Sequence, residues 1–325
     1  MSFDDHFPNK FRFWLALLAA ALILPWLPLG ALGPSLLRIA TLVLLYMVLA
    51  QGLNVVVGFA GRLDLGYVVF FAVGAYTAGL LEFYWHWNPW LVLGLALVQG
   101  AFWGWLRGVL LQRLSGYAFA LASLAFAELF VLLVRNEAWL TGGEMGMAGL
   151  ARPGLAGNFL EPAQLSYYLM LFLLLLVLGV VARARSSRFG RAWLALYDDS
   201  VAAACAGIEV SRSRLAAEIL SAVIGALAGA FYAGWLGFIH PDMFGFRESL
   251  VILCLVALGG PGRIAGVLLG SLLLVSLDEV LQLFLPAGMG PVRYLVFGLL
   301  VIAALHWRYR DRLFRVGTQG GAVRG

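Results

Sequence analysis

Lysine is nearly absent from this chain: Lys10 is the one lysine among 325 residues. A P-loop that binds nucleotide phosphates needs a lysine directly after a glycine, and Lys10 follows Asn9. The sequence therefore excludes a P-loop. If the chain takes part in active transport, the energy has to come from another protein or from an ion gradient.

Cysteine and histidine are also scarce. The two cysteines, Cys205 and Cys254, are too few for a disulfide framework. The four histidines are scattered without the spacing of metal ligands, and no Gly-x-Ser-x-Gly nucleophile motif occurs. We therefore expect no bound metal, no other cofactor and no enzymatic activity.

Charged residues make up only 12% of the chain, whereas hydrophobic residues make up 62%. Apolar runs of membrane-spanning length recur along it, which is typical of a polytopic helical membrane protein. The sequence predicts one all-α transmembrane domain over residues 1–325, with about ten spans. Several spans are short, and we expect one or two of them to be broken or re-entrant. The predicted spans are 13–30, 36–57, 64–83, 90–111, 117–135, 165–182, 214–236, 247–260, 264–285 and 292–307.

The first predicted span, 13–30, follows basic residues as a signal peptide would. Asp4 and Asp5 precede it and many spans follow, so we interpret it as a retained helix. With the N-terminus inside, the inner connections hold sixteen Lys and Arg residues and the outer ones five. This asymmetry predicts that both termini are cytoplasmic, that the connection 136–164 faces outward, and that the basicity reflects membrane orientation rather than nucleic-acid binding.

The Arg-rich interruption 183–214 then faces the cytoplasm. Within it, Asp198, Asp199 and Ser200 are strong helix-starting residues, and Gly207 is suited to ending a helix in the left-handed conformation. The helix between them has about two turns, too few to be stable alone in water. It either docks into a groove of another protein or packs against the chain's own cytoplasmic ends.

Two junctions between predicted spans share a Gly-x-x-Gly-Arg-apolar pattern, at 58–63 and 259–264. They are either tight turns or the ends of broken helices that approach a transport path. Acidic residues also occur within apolar segments. Glu128 lies deepest, and Glu218 is spaced for a local pair with Arg214.

Several motifs carry a resemblance to a known family. They include the segments 51–67, 125–128, 188–193 and 258–266, in an order and spacing that are specific. From about Leu42 to Leu281 the chain resembles the integral membrane permeases of the branched-chain amino acid ABC importers, the LivM type, including their urea and amide relatives.

The resemblance implies a multi-pass subunit of the bacterial inner membrane that moves branched-chain or related amino acids inward by alternating access. The implied partners are a homologous second permease, two ABC ATPase subunits on the cytoplasmic side, an external solute-binding protein and membrane lipid. A urea or short-amide permease and an ion-coupled secondary transporter remain as alternatives.

The resemblance also implies site residues. The family's coupling helix, which docks on the ATPase, corresponds here to Asp198, Asp199, Ala202, Ala203 and Gly207, and Val201 stands where the family pattern has Glu. Polar side chains expected along the translocation path are Asn54, Asp64, Tyr67, Tyr76 and Thr77.

Overall fold

Long α-helices dominate the computed structural model, which describes residues 22, 24–26, 33–150, 162–284, 298–299 and 302. The helices are α1 (Gly33–Asn54), α2 (Val68–Trp85), α3 (Pro89–Leu111), α4 (Gly116–Asn136), α5 (Ala138–Thr141), α6 (Pro162–Ser186), α7 (Arg188–Asp198), α8 (Ser200–Cys205), α9 (Val210–Leu236), α10 (Phe246–Gly259) and α11 (Ile264–Phe284). A two-stranded antiparallel ribbon of β1 (Met147–Ala148) and β2 (Phe238–Ile239) joins the loops that follow α5 and α9. The predicted all-α class is confirmed.

Seven helices of the described part are long and apolar enough to cross a membrane. They comprise α1 with its π-helical continuation, α2, α3, α4, α6, α9 and α11. Helix α10, with 14 residues, is about 21 Å long, shorter than the ~30 Å hydrocarbon core, as expected for one of the short predicted spans. The predicted spans 13–30 and 292–307, with the retained first helix, lie mostly outside the described residues.

Helix α9 occupies the centre of the bundle and packs closely on α2 and α3. The contact with α3 depends on Gly100, Gly104 and Gly108, which are spaced four residues apart and so share one helix face. A Cβ atom at Gly100 or Gly104 would come within 2.7 or 2.6 Å of the side chains of Ala226 and Ala222. Membrane helices approach this closely only where both faces carry small residues.

The first Gly-x-x-Gly-Arg junction delays the start of α2. Helix α1 continues as a π-helix over Val55–Phe59, and Gly61 then adopts a positive φ of 69°. The Asp64 carboxylate accepts a hydrogen bond from the backbone N–H of Gly66 at 2.9 Å. Such a local turn competes with the helix, so α2 begins at Val68 rather than at the predicted residue 64.

The two similar junctions contact each other. The backbone N–H of Gly262 donates to Oδ1 of Asn54 at 2.9 Å, and the amide of Gln51 donates to the carbonyl of Ile264 at 2.8 Å. A Cβ atom at Gly58 would lie 2.2 Å from the Gly262 nitrogen, so the backbones touch. The second junction is a turn, whereas the first comprises the π-helical end of α1 and an irregular connection. Together they bind the end of α1 to the connection between α10 and α11.

Candidate functional site

Helix α7 holds the Arg-rich interruption against the bundle. Its N-cap is Ser187, whose side chain accepts a hydrogen bond from the backbone N–H of Gly190. Trp193 and Leu196 are buried, while Phe189 and Tyr197 are exposed. The indole N–H of Trp193 donates to the carbonyl of Ser213, in the first turn of α9, at 2.7 Å. The loop is therefore attached directly to the central helix.

Helix α8 follows after one residue and has the predicted caps. Asp199 is its N-cap, because its Oδ1 accepts from the backbone N–H groups of Val201 at 2.8 Å and Ala202 at 3.2 Å. Gly207 adopts a φ of 85°, and the next N–H, of Ile208, donates to the carbonyl of Ala203. This is the Schellman pattern that ends a helix.

Most of the surface of α8 is exposed, and Ala203 is its one buried residue. Ala203 is buried against the chain itself, whereas the side chain of Val201 is 71% exposed. We name the outward surface formed by Val201, Ala202 and Cys205, all exposed, the coupling face. Among the predicted docking residues, Asp199 and Gly207 shape the helix, Ala203 supports it from below, and Ala202 lies on the coupling face.

Asp198 has a different position from its neighbour. It is the last residue of α7, is exposed, and takes no part in the cap of α8. The sequence could not separate two adjacent aspartates, because either is a good N-cap.

A buried ion network joins the connection between α1 and α2 to helices α3 and α9. Arg107 of α3 donates to Asp64 through both terminal nitrogens, at 3.1 and 2.5 Å, and to Glu218 of α9 at 2.5 Å. Arg62 lies 3.6 Å from Glu218 and donates to the carbonyls of Leu111, the last residue of α3, and of Leu114, three residues beyond it. Two arginines thus face two carboxylates in a region closed to solvent.

Aromatic rings complete the surroundings of both guanidinium groups. Arg62 lies over the Phe119 ring at 3.5 Å, and Arg107 lies over the Phe70 ring at 4.2 Å. Burial lowers the pKa of Arg62 to about 10, because desolvation disfavours its charged form. Arg62 therefore stays charged at neutral pH.

The expected local pair of Glu218 with Arg214 was wrong, because Glu218 binds Arg107 and Arg62 across helices. Helical spacing alone favoured Arg214, whereas tertiary packing brings α3 against α9. The position of Arg107 within an apolar span could have indicated these pairs, since an arginine there needs a buried partner.

The residues predicted for the translocation path lie between packed helices. Asn54, Asp64, Tyr67 and Tyr76 are buried, and the Thr77 hydroxyl donates to the carbonyl of Val73 on its own helix. Asn54 and Asp64 hold the junctions described above. The hydroxyls of Tyr67 and Tyr76 have no hydrogen-bond partner among the described residues. Their role in a path stays a prediction.

A cavity of about 630 Å³ lies at the opposite end of the bundle. The first part of α1, the end of α9, the first part of α10 and the end of α11 surround it, and none of the five predicted path residues lines it. Its volume is in the range of small-molecule sites in proteins.

The bundle of seven long apolar helices in the described part of the chain places the protein in the class of polytopic membrane proteins. The family model described as branched-chain amino acid transport system, permease component, matches residues 35–305. The chain belongs to this family, and it is the non-catalytic membrane component of a branched-chain amino acid ABC transporter.

Individual relatives agree with this assignment. The high-affinity branched-chain amino acid transport system permease protein LivM of Escherichia coli (strain K12) is 35% identical, over 96% of this chain and 78% of the relative. LivM of Salmonella typhimurium is also 35% identical, over 91% and 73%. The autoinducer 2 import system permease protein LsrC of Yersinia enterocolitica is 30% identical over 59% of this chain and 53% of its own length. No solved structure matches the chain significantly.

Proposed function

We propose that this permease moves branched-chain or related small amino acids into the cytoplasm, with the energy of ATP hydrolysis received through the coupling face. The observation that carries the proposal is the form of α8. It is short, capped at both ends, supported by a buried Ala203, and small-chained on its outward side. Such a helix can enter a groove of a partner without steric conflict.

The contacts around α8 supply a route from the partner to the bundle. Gly207 and three further residues separate α8 from α9, and Trp193 of α7 is hydrogen-bonded to the first turn of α9. Four residues beyond Arg214, Glu218 ties α9 to Arg107 of α3. Two ATPase subunits that close on binding ATP would move α8 and α9 together and rock the spans, which is alternating access.

The exposed face of α4 is an argument for a contact with a homologous second permease within the membrane. Glu128 lies near the middle of α4, in one stripe with the exposed Tyr117, Leu121 and Leu132. A carboxylate at this depth is costly against lipid. We therefore assign this stripe to the contact with the second permease, and the remaining apolar faces to membrane lipid.

The orientation proposed is the one that the charge asymmetry predicts, in a bacterial inner membrane with both termini in the cytoplasm. The coupling loop 183–214 then meets the ATPases, and the connection 136–164 faces the external solute-binding protein. An ion-coupled mechanism is less well supported, because Asp64 and Glu218, two carboxylates that a proton relay would need, are engaged by Arg107.

The test places a charge on the coupling face. In proteoliposomes that contain the chain, the second permease and both ATPases, Val201→Arg should reduce ATP-driven uptake at least about tenfold, because a buried unpaired charge weakens an interface by several kcal/mol. Val201→Ala is the matched control and should retain uptake. Equal uptake by both variants would contradict the docking role.

Two other substitutions act on the shape of α8 and are unsuitable as the main test. Proline at position 207 cannot adopt a φ of 85°, and arginine at position 203 would have to enter a buried site. Either variant should uncouple hydrolysis from uptake, but through local misfolding of α8.

A further inference from the structure

The walls of the 630 Å³ cavity combine apolar and aromatic surfaces. Leu42, Val251, Leu255, Leu274 and Val275 provide aliphatic surface. Tyr46, Tyr232 and Trp235 provide aromatic surface. A cavity with this lining suits an apolar side chain of moderate size.

Charged groups of both signs meet in the same cavity. Arg38 and Arg247 contribute guanidinium groups, and Glu248, Asp278 and Glu279 contribute carboxylates. The Arg38 side chain is 62% exposed, and its one ion pair within the described part of the chain, to Glu279, is long at 3.5 Å. Glu248 accepts a hydrogen bond from the Tyr46 hydroxyl, which fixes its position. The lining thus includes a loosely held cation and three carboxylates.

The position of the cavity fits a solute that arrives from outside. Helix α9 begins three residues after Gly207 of the coupling loop, and its final turns, at Tyr232 and Trp235, line the cavity. Its 27 residues span about 40 Å. The cavity and the coupling face therefore lie about one membrane thickness apart.

We propose that this cavity binds the zwitterion of an aliphatic α-amino acid, an inference that rests on the proposed function. Arg38 binds the carboxylate, Glu279 and Glu248 bind the ammonium group, and the Leu and Val walls enclose the side chain. Opposite charges at short separation match the two ends of an amino acid. Urea and short amides carry neither charge, so the same walls disfavour them.

Cys254 lines the cavity and offers a direct measurement of binding. The full chain, assembled with its second permease and ATPases in lipid nanodiscs, is treated with methyl methanethiosulfonate in a Cys205→Ser background. Modification of Cys254 is followed by mass spectrometry. We expect millimolar L-leucine to slow the modification, and urea, acetamide and isobutanol to leave its rate unchanged.

The matched control uses the other cysteine. In a Cys254→Ser background, the exposed Cys205 should react at a rate that L-leucine does not change. Failure of Cys254 to react would show that lipid or a neighbouring subunit fills the cavity, and would overturn the proposal. Equal protection by urea or acetamide, or no protection by L-leucine, would overturn it too.

Charge substitutions test the assignment of the two ends. Arg38→Gln and Glu279→Gln should each raise the L-leucine concentration for half-maximal protection at least about tenfold, since each removes one charged hydrogen-bonding partner. Glu144→Gln, which removes an exposed carboxylate outside the cavity, should leave it unchanged. Equal values for all three variants would contradict the proposal.

The two proposals can fail separately. If Val201→Arg abolishes uptake while L-leucine does not protect Cys254, ATP-coupled transport stands and the solute binds elsewhere. If L-leucine protects Cys254 but Val201→Arg transports normally, the cavity assignment stands and the coupling face is wrong.

Discussion

Among single side chains, Arg107 has a large structural consequence, because it joins α3 to Asp64 and to Glu218 of α9 in a buried place. Replacing it with Met leaves Asp64 and Glu218 facing each other with only Arg62 to balance them. Removing one partner of a buried ion pair typically costs about 3–5 kcal/mol. Arg107→Met should therefore lower the thermal unfolding temperature of the purified protein strongly.

The matched test adds a second substitution. Arg107→Met combined with Glu218→Gln removes one charge of each sign, so its loss of stability should be smaller than that of Arg107→Met alone. Fluorescence-detected thermal unfolding in detergent measures both. A double variant that is less stable than the single one would show that Arg107 and Glu218 do not act as a pair.

The adjacent residues Asp198 and Asp199 give a second comparison. Asp199→Ala removes the N-cap of α8 and should destabilise that helix by about 1 kcal/mol, with faster amide hydrogen exchange over 200–206 and reduced coupling of ATP hydrolysis to uptake. Asp198→Ala removes the same charge one position earlier and should leave exchange in α8 unchanged. Identical exchange in the two variants would contradict the cap.

Between helices, the close approach of α3 and α9 depends on glycine. Gly104→Leu would place a side chain where even a Cβ atom comes within 2.6 Å of Ala222. Overpacking of this kind costs about 1–3 kcal/mol or more and should reduce the yield of folded protein. Gly94→Leu is the control on the same helix, because nothing lies within 4 Å of a Cβ atom there. Size-exclusion chromatography of both variants measures the difference, and equal profiles would contradict the tight contact.

The boundaries of most helices followed from the sequence, because membrane spans are long apolar runs and their ends are marked by Gly, Pro or Arg. The existence and the end of helix α8 were predictable, since an N-cap aspartate and a terminating glycine are local signals, although the choice between Asp198 and Asp199 was not. The ion pairs of Glu218 and the backbone contact between Gly58 and Gly262 could not be predicted. Both depend on which helices become neighbours, and periodicity within one segment carries no information about that.

Across the full chain, the uneven distribution of arginine predicts the orientation of the protein in the membrane, and this orientation can be tested directly. The coupling loop 183–214 holds six arginines, whereas the described residues at the cavity end of the bundle include Arg38, Arg135 and Arg247. The positive-inside rule then predicts that Cys205 faces the cytoplasm and Glu144 the outside. These two exposed positions report on opposite sides of the membrane.

Labelling of cysteines with a membrane-impermeant maleimide tests this prediction. In membranes stripped of peripheral proteins, Cys205 of a Cys254→Ser variant should react in inside-out vesicles and be protected in right-side-out spheroplasts. A Glu144→Cys variant without the two native cysteines should show the reverse. Reaction of Cys205 from the outside would show that the topology is the reverse of the predicted one. The coupling face would then lie away from the ATPases, and the charged cavity would lie on the cytoplasmic side.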